Sequence, residues 1–163
     1  MQAAVVLMKN NLFFEKDIKS LESHLRVEEM NKLKNAFWED IANGLLDFNQ
    51  NHSKLDLYLS HDSDLEENGE LPADIIFNDF KKIAERGENA EERIFNAAFD
   101  VFQKTDLPVL VIGMSFPLFD LDILFEALAG IKERDLVIGP AVDGEYYLLG
   151  MKKVEDYLFD FKS

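Results

Sequence analysis

Residues 135–151, DLVIGPAVDGEYYLLGM, contain two short apolar runs on either side of a polar break. The runs Leu136 to Ile138 and Tyr146 to Met151 are too apolar for a surface loop, so they predict two strands of a sheet. The break combines proline, aspartate and glycine, which are the residues that turn a chain. Its carboxylate, Asp143, is therefore either a turn residue or a ligand contact, and Gly144 supplies a backbone conformation that other residues avoid.

Three further apolar runs predict strands in the rest of the chain: residues 3–8, 55–59 and 108–112. The first and third are continuously apolar, which is typical of strands buried on both faces of a parallel sheet. We therefore predict that the strands at 3–8, 108–112 and 136–138 are central and parallel. Tyr146 to Met151 is expected to pair in the same sheet.

Three helical patterns lie between these strands. Apolar residues recur at spacings of three or four and predict one buried face on each helix. The first pattern contains Met30, Leu33, Phe37, Ile41 and Leu45; the second, residues 91–102, turns Ile94, Ala97, Ala98 and Val101 inward. The third covers residues 120–131, with Asp120 or Asp122 as its cap. The alternation of strands and helices predicts the α/β class with a mostly parallel sheet, and the length suits a single domain over residues 1–163.

The composition excludes several classes of function. The chain has 32 acidic and 17 basic residues, a net charge of −15, which disfavours nucleic acid and anionic membranes as partners. It has no cysteine, so disulfides and thiolate chemistry are excluded and a cytoplasmic location is expected. No apolar run approaches the ~20 residues of a membrane span. The most acidic stretch, residues 61–74, is predicted to be a solvated loop.

Two segments together resemble a known family. VLVIGMSFPLFDLDILFEALAGI, residues 109–131, and the stretch at 135–151 are similar to bacterial glycosyltransferase-like proteins of the nucleotide-diphospho-sugar transferase superfamily. The family pattern is a strand, Gly-x-Asp-x-Pro, a helix, a strand, and then Gly-Pro-x-x-Asp-Gly-Gly-Tyr-Tyr-Leu-x-Gly. The last segment matches at Gly139, Pro140, Asp143, Gly144, Tyr146, Tyr147, Leu148 and Gly150.

A third segment, GENAEERIFNAAF at residues 87–99, resembles the Gly-Asp-Leu-Gly-x-Arg segment of the same family. The opening strand and Lys9 also match, so the resemblance spans most of the chain. Arg93 in the third segment lies among acids at the start of a helix, which predicts a structural ion pair.

The resemblance implies the type A glycosyltransferase fold, a three-layer α/β/α sandwich with a mainly parallel mixed sheet. It also implies a pocket for a nucleotide sugar at the strand ends, with Mg²⁺ or Mn²⁺ bridging the diphosphate. Polar breaks follow three strand ends, and parallel strands bring such breaks to one edge of the sheet. The predicted ligand-binding residues at this edge are Lys9, Asn10, Ser115, Asp143 and Gly144, and Asp143 is the candidate metal ligand.

The sequence departs from the family pattern where the chemistry lies. Ser115 stands in place of the metal-binding acid, and a hydroxyl is a poor ligand for a hard dication. The first loop, KNNLFFEKDIKSL, lacks the proline and the glycine of the family pattern. It also lacks the basic pair with which the family binds the phosphates. Glu145 replaces the second glycine of Asp-Gly-Gly.

Two hypotheses follow from these departures. The first is a family protein with a degenerate metal and diphosphate site, which needs a divalent cation only if that site is active. The alternative is a non-catalytic scaffold for ligand sensing or protein-partner binding. The 14 phenylalanines are also compatible with a homo-oligomer interface.

Overall fold

The structure is a computed structural model, and it describes residues 2–8, 24–52, 54–61, 77–113, 120–141, 144 and 146–155. These residues form six strands: β1 Ala3–Met8, β2 Leu55–His61, β3 Lys81–Ala84, β4 Val109–Gly113, β5 Leu136–Pro140 and β6 Tyr146–Met151. They also form three helices: α1 Val27–Asn51, α2 Ala90–Thr105 and α3 Leu121–Glu133. No helix in these ranges is long and apolar enough to cross a membrane.

The strands form one mixed sheet in the order β3-β2-β1-β4-β6-β5. Strands β3, β2, β1 and β4 are parallel, whereas β6 is antiparallel to both of its neighbours. The central, parallel positions predicted for residues 3–8 and 108–112 are therefore confirmed. The prediction that residues 136–138 form a central strand is wrong for the described sheet, because β6 turns back along β5 and pairs with β4. This inserts β6 into the sheet and leaves β5 as the last of the described strands.

The sequence did not predict β3, and it placed the acidic loop one residue too early. Strand β3 reads KKIA and has a single buried side chain, Ile83, so no apolar run marks it. His61 is the last residue of β2, and residues 62–76 lie outside the described part of the chain.

Helices cover both faces of the sheet, as predicted for a three-layer sandwich. Alternating side chains of each strand point to opposite faces. One face packs against α1 and α3 through Leu7, Leu45, Phe48, Leu124 and Ile131. The other face packs against α2 through Val6, Ile94, Ala98, Val101 and Val111.

Helices α2 and α3 begin within one residue of the predicted positions 91 and 120. Ile94, Ala97, Ala98 and Val101 are the buried residues of α2. Helix α3 is capped by Asp120, whose side chain accepts a hydrogen bond of 3.0 Å from the backbone N–H of Asp122. Of the two predicted caps, Asp120 is therefore the cap and Asp122 lies in the first turn.

Candidate functional site at the carboxyl edge of the sheet

The carboxyl ends of β1, β4 and β5 lie at the same edge of the sheet, called here the carboxyl edge. Leu7 is paired with Ile112, Ile112 with Leu148, and Leu148 with Gly139, so one row of residues crosses the four strands. Neighbouring strands are about 4.8 Å apart, so the end of β5 lies roughly 10 Å from the end of β4. The predicted convergence of these three strand ends is confirmed.

Most of the predicted ligand-binding residues lie outside the described part of the chain. These are Lys9, Asn10, Ser115 and Asp143, and their roles stay predictions. In the sequence, two of them follow β1, one follows β4, and Asp143 stands between β5 and β6.

Gly144 is the one predicted site residue that the structure describes. Its φ angle is +90°, in the region that glycine adopts readily. Its backbone N–H donates a hydrogen bond of 3.2 Å to the carbonyl of Ala141, which closes a turn between β5 and β6. A Cβ atom at this position would meet nothing within 4 Å. The backbone conformation, and not lack of space, therefore explains the glycine.

Two other glycines of the matching segment are explained by packing. A Cβ atom on Gly139 would lie 2.8 Å from the ring of Tyr147, and one on Gly150 would lie 2.7 Å from Cδ2 of Leu110. Both distances are shorter than any normal contact, so each glycine makes room for a neighbouring side chain.

The loop after β3, residues 85–89, also lies at the carboxyl edge. It begins beside the end of β2, where the backbone N–H of Glu85 donates to the carbonyl of His61 at 2.8 Å. Arg93, in the first turns of α2, reaches back to this loop. Its Nη1 lies 3.2 Å from Oε1 of Glu85, and its Nε donates to the carbonyl of Gly87 at 3.1 Å. The Glu85 side chain is only 3% exposed, so the predicted structural ion pair of Arg93 is confirmed and largely buried.

A second arginine of this loop is also paired with an acid. Nη2 of Arg86 lies 2.7 Å from both carboxylate oxygens of Asp100 in α2. The backbone carbonyl of Arg86 accepts a hydrogen bond of 2.9 Å from the side chain of Asn96. Arg86 and Arg93 therefore fix the loop to α2, and both guanidinium groups already contact a carboxylate.

Acids occupy the first turn of all three described helices. Each helix follows the carboxyl end of one strand and leads to the start of another, so its first turn faces the same side of the sheet as the carboxyl edge. The acids are Glu28 and Glu29 in α1, Glu91 and Glu92 in α2, and Asp122 in α3. Carboxylates stabilise a helix start, but they also offset the positive potential with which a helix start attracts phosphate.

The described residues do not fit a divalent cation. Within the ranges that the structure covers, no three His, Cys, Asp or Glu side chains are grouped so that they could hold a metal ion. Asp143, the candidate metal ligand, lies outside these ranges, so its role as a ligand stays a prediction.

Comparisons with known proteins give the family of the chain. A family profile described as "Uncharacterized protein conserved in bacteria (DUF2064)" matches residues 45–162, well over half of the sequence. The chain belongs to this DUF2064 family. A comparison with curated proteins finds no match.

A solved structure shows what the fold of this DUF2064 chain resembles. It is the crystal structure of a protein described as a "putative nucleotide-diphospho-sugar transferase" from Desulfovibrio desulfuricans G20. The TM-score is 0.72 at 23% identity, over 99% of this chain and 69% of that one. The likeness confirms the predicted fold.

Sequence patterns missed the acidic partner of Arg93 in this DUF2064 chain. Glu85 directly follows β3, the strand that no apolar run predicts. Its burial comes from the pairing of β3 with β2 and from contact with α2, both of which join residues distant in sequence. The matching segment at 87–99 was the one available signal, because it pointed to Arg93 and to the loop that precedes it.

Proposed function

We propose that this chain keeps the nucleotide-diphospho-sugar transferase fold around a degenerate metal and diphosphate site at the carboxyl edge. In this proposal the chain does not carry out metal-dependent sugar transfer. Asp143 shapes the turn and the rim of a pocket, whereas Ser115 takes the place of the acid that would hold the cation.

The main support is the charge at the carboxyl edge. A nucleoside diphosphate carries several negative charges, which must be neutralised as the bond to the sugar breaks. The acids in the first turns of α1, α2 and α3 disfavour an anion there. Three arginines are described on this side of the sheet, and each is paired with a carboxylate: Arg26 with Glu29, Arg86 with Asp100 and Arg93 with Glu85. Binding a phosphate with any one of them would mean separating an existing ion pair.

The departures in sequence point the same way. Ser115 replaces a carboxylate ligand, and Glu145 adds a negative charge two residues after Asp143 in the sequence. A like charge in a partly buried site would cost a diphosphate on the order of 1 kcal/mol or more.

A binding screen tests the proposal. The purified chain is titrated with Mn²⁺ and Mg²⁺ by calorimetry, and its melting temperature is followed with UDP, GDP and their hexose conjugates, with and without metal. We expect weak cation binding and no metal-dependent shift with any nucleotide sugar. A tight, stoichiometric Mn²⁺ site that Asp143→Ala abolishes would contradict the proposal, as would turnover of a donor by the natural chain.

A variant that restores the family pattern tests the proposal by gain of binding. We expect Ser115→Asp combined with Glu145→Gly to create metal-dependent binding of a nucleotide sugar. The matched control is Ser115→Asn with Glu145→Gly, which has a similar shape but lacks the added carboxylate. If both variants bind the donor equally, the gain comes from removing Glu145 and not from a restored metal ligand.

The alternative is a scaffold that binds no donor and instead senses another ligand or binds a protein partner. If nucleotides fail to bind even to the variant with Ser115→Asp and Glu145→Gly, that result favours the alternative, in agreement with the acidic residues near the carboxyl edge. The cytoplasmic location expected from the composition stays part of both proposals, and cell fractionation tests it.

A further inference from the structure

Ser60, near the carboxyl end of β2, is a polar side chain inside an apolar layer. It is 0% exposed, and it is the one residue of polar type that is buried among the described residues. It lies opposite Met8 of β1 and Ile83 of β3, which both belong to the apolar layer beneath α2. No group in the described part of the chain bonds to its Oγ. A buried hydroxyl without a partner destabilises a fold, and in proteins nearly all such groups bond to protein or to an ordered water.

The Glu85 carboxylate lies on the same face of the sheet, one strand away. The pairing of β3 with β2 continues to this residue, because the N–H of Glu85 donates to the carbonyl of His61 at 2.8 Å. Side chains alternate along a strand, so Glu85 points to the same face as Ile83, and therefore as Ser60. Strand spacing and rise place the Cα atoms of Ser60 and Glu85 roughly 8 Å apart. A single water joins oxygen atoms that are roughly 5 Å apart, which two side chains on one face can reach from this spacing.

Glu85 can accept a hydrogen bond from water while it is paired with Arg93. Its Oε1 lies 3.2 Å from Nη1 of Arg93, and its side chain is 3% exposed. A carboxylate accepts about four hydrogen bonds, so a water can bind it in addition to the guanidinium. A buried ion pair is stable only where further hydrogen bonds satisfy its remaining positions.

We infer that one buried water molecule is bound between the Ser60 hydroxyl and the Glu85 carboxylate. The water accepts the hydroxyl hydrogen of Ser60 and donates one of its own hydrogens to Glu85. Through the contact of Glu85 with Arg93, the water connects the ends of β2 and β3 to the first turns of α2. It thereby helps to hold the loop at residues 85–89, where the carbonyl of Gly87 accepts from Nε of Arg93 at 3.1 Å. This role does not depend on whether the carboxyl edge binds a nucleotide sugar.

A neutral ligand is favoured over an ion because the Glu85–Arg93 pair already balances its own charge. A cation or an anion placed beside this pair would be buried without a counter-charge, at a large cost in desolvation. Water carries no net charge and can donate and accept at once. Buried waters make about two to four hydrogen bonds to polar groups, and Ser60 with Glu85 supplies the minimum of two.

A high-resolution crystal structure of the natural chain tests the inference directly. We expect an ordered water with hydrogen bonds of about 2.7–2.8 Å to Ser60 Oγ and to a carboxylate oxygen of Glu85. In Ser60→Val the larger apolar side chain should displace this water. The inference is overturned if Ser60 Oγ bonds directly to Glu85 or to any other protein group, including one from residues 62–76. An ion at this position would also overturn it.

A double-mutant cycle tests the link between the two side chains in solution. Unfolding equilibrium constants are measured in urea for Ser60→Ala, Glu85→Gln and the combination. Members of one hydrogen-bond network are coupled, so the loss in the double variant should be at least about twofold smaller than the product of the single losses.

The matched control is the cycle of Ser60→Ala with Asp100→Asn. Asp100 is also a carboxylate paired with an arginine, at 2.7 Å from Arg86, but the water does not contact it. In this cycle the two losses should multiply. Equal coupling in both cycles, or no coupling between Ser60 and Glu85, would contradict the inference.

Discussion

Replacing Arg93 by methionine should destabilise the fold far more than removing an exposed ion pair. The substitution leaves the Glu85 carboxylate, only 3% exposed, without the guanidinium that lies 3.2 Å away. Breaking a buried ion pair by removing one partner costs about 3–5 kcal/mol. Arg93 itself is 28% exposed, so water can partly replace it. We therefore take the low end of this range and expect a loss of about 3 kcal/mol.

Chemical denaturation and thermal melting measure this loss. For a domain of this size, 1 kcal/mol lowers the melting temperature by about 2–4 °C, so we expect a drop of roughly 6–12 °C. The matched control is Arg86→Met in the loop that Arg93 contacts. Its Nη2 contacts Asp100 at only 2.7 Å, but its side chain is 59% exposed, so about 1 kcal/mol or less should be lost.

A double variant separates burial of charge from loss of packing. Glu85→Gln removes the charge that Arg93→Met leaves without its guanidinium, so the combination should recover more than half of the lost stability. The reasoning is refuted if Arg93→Met and Arg86→Met differ by less than about 0.5 kcal/mol in free energy of unfolding. It is also refuted if the double variant is as unstable as Arg93→Met alone.

Three further predictions concern single side chains. Gly150→Ala places a methyl group 2.7 Å from Leu110 and should lower the free energy of unfolding by about 1–3 kcal/mol, which urea denaturation measures. Asp120→Ala removes the cap of α3 and should cost about 1 kcal/mol, whereas Asp120→Asn should cost much less. Burial lowers the pKa of Lys81, but the hydrogen bonds to Asp56 and Tyr58 and the charges of these two residues together outweigh it, so the pKa is raised. A raised folded pKa stabilises the fold below the unfolded pKa and ceases to do so as pH rises through the folded value. The stability difference between the natural chain and Lys81→Met should therefore shrink above about pH 10.5, and a constant difference would contradict this.

Patterns within a single segment, such as helical spacing or a continuous apolar run, predicted those features of the fold that depend on that segment alone. The inward residues of α2 follow from helical spacing, and the central position of β1 follows from six consecutive buried residues. The position of β5 at the end of the described sheet could not be predicted, because its apolar residues resemble those of a buried strand. The position of β5 depends on the insertion of β6 between β4 and β5. No single segment of the sequence encodes this strand order.

The sequence predicted where the candidate site lies better than it predicted the interactions within that site. The convergence of strand ends follows from parallel strands, and the register confirms it. The ion pair of Arg93 was predicted without its partner, because Glu85 approaches through the pairing of β3 with β2. The acids at the helix starts are visible in the sequence, but only the topology places all three on one side of the sheet.

The packing of Gly139 and Gly150 affects how relatives of this chain can be recognised. Both glycines are fixed by neighbouring side chains that belong to the architecture of the sheet, Tyr147 in one case and Leu110 in the other. A descendant that stops using a sugar donor would still be under pressure to keep them. A sequence search based on these two glycines therefore finds active enzymes as well as relatives that have lost their activity, and it cannot separate the two groups. The position occupied here by Ser115 is the better diagnostic, because the resemblance gives it a chemical role.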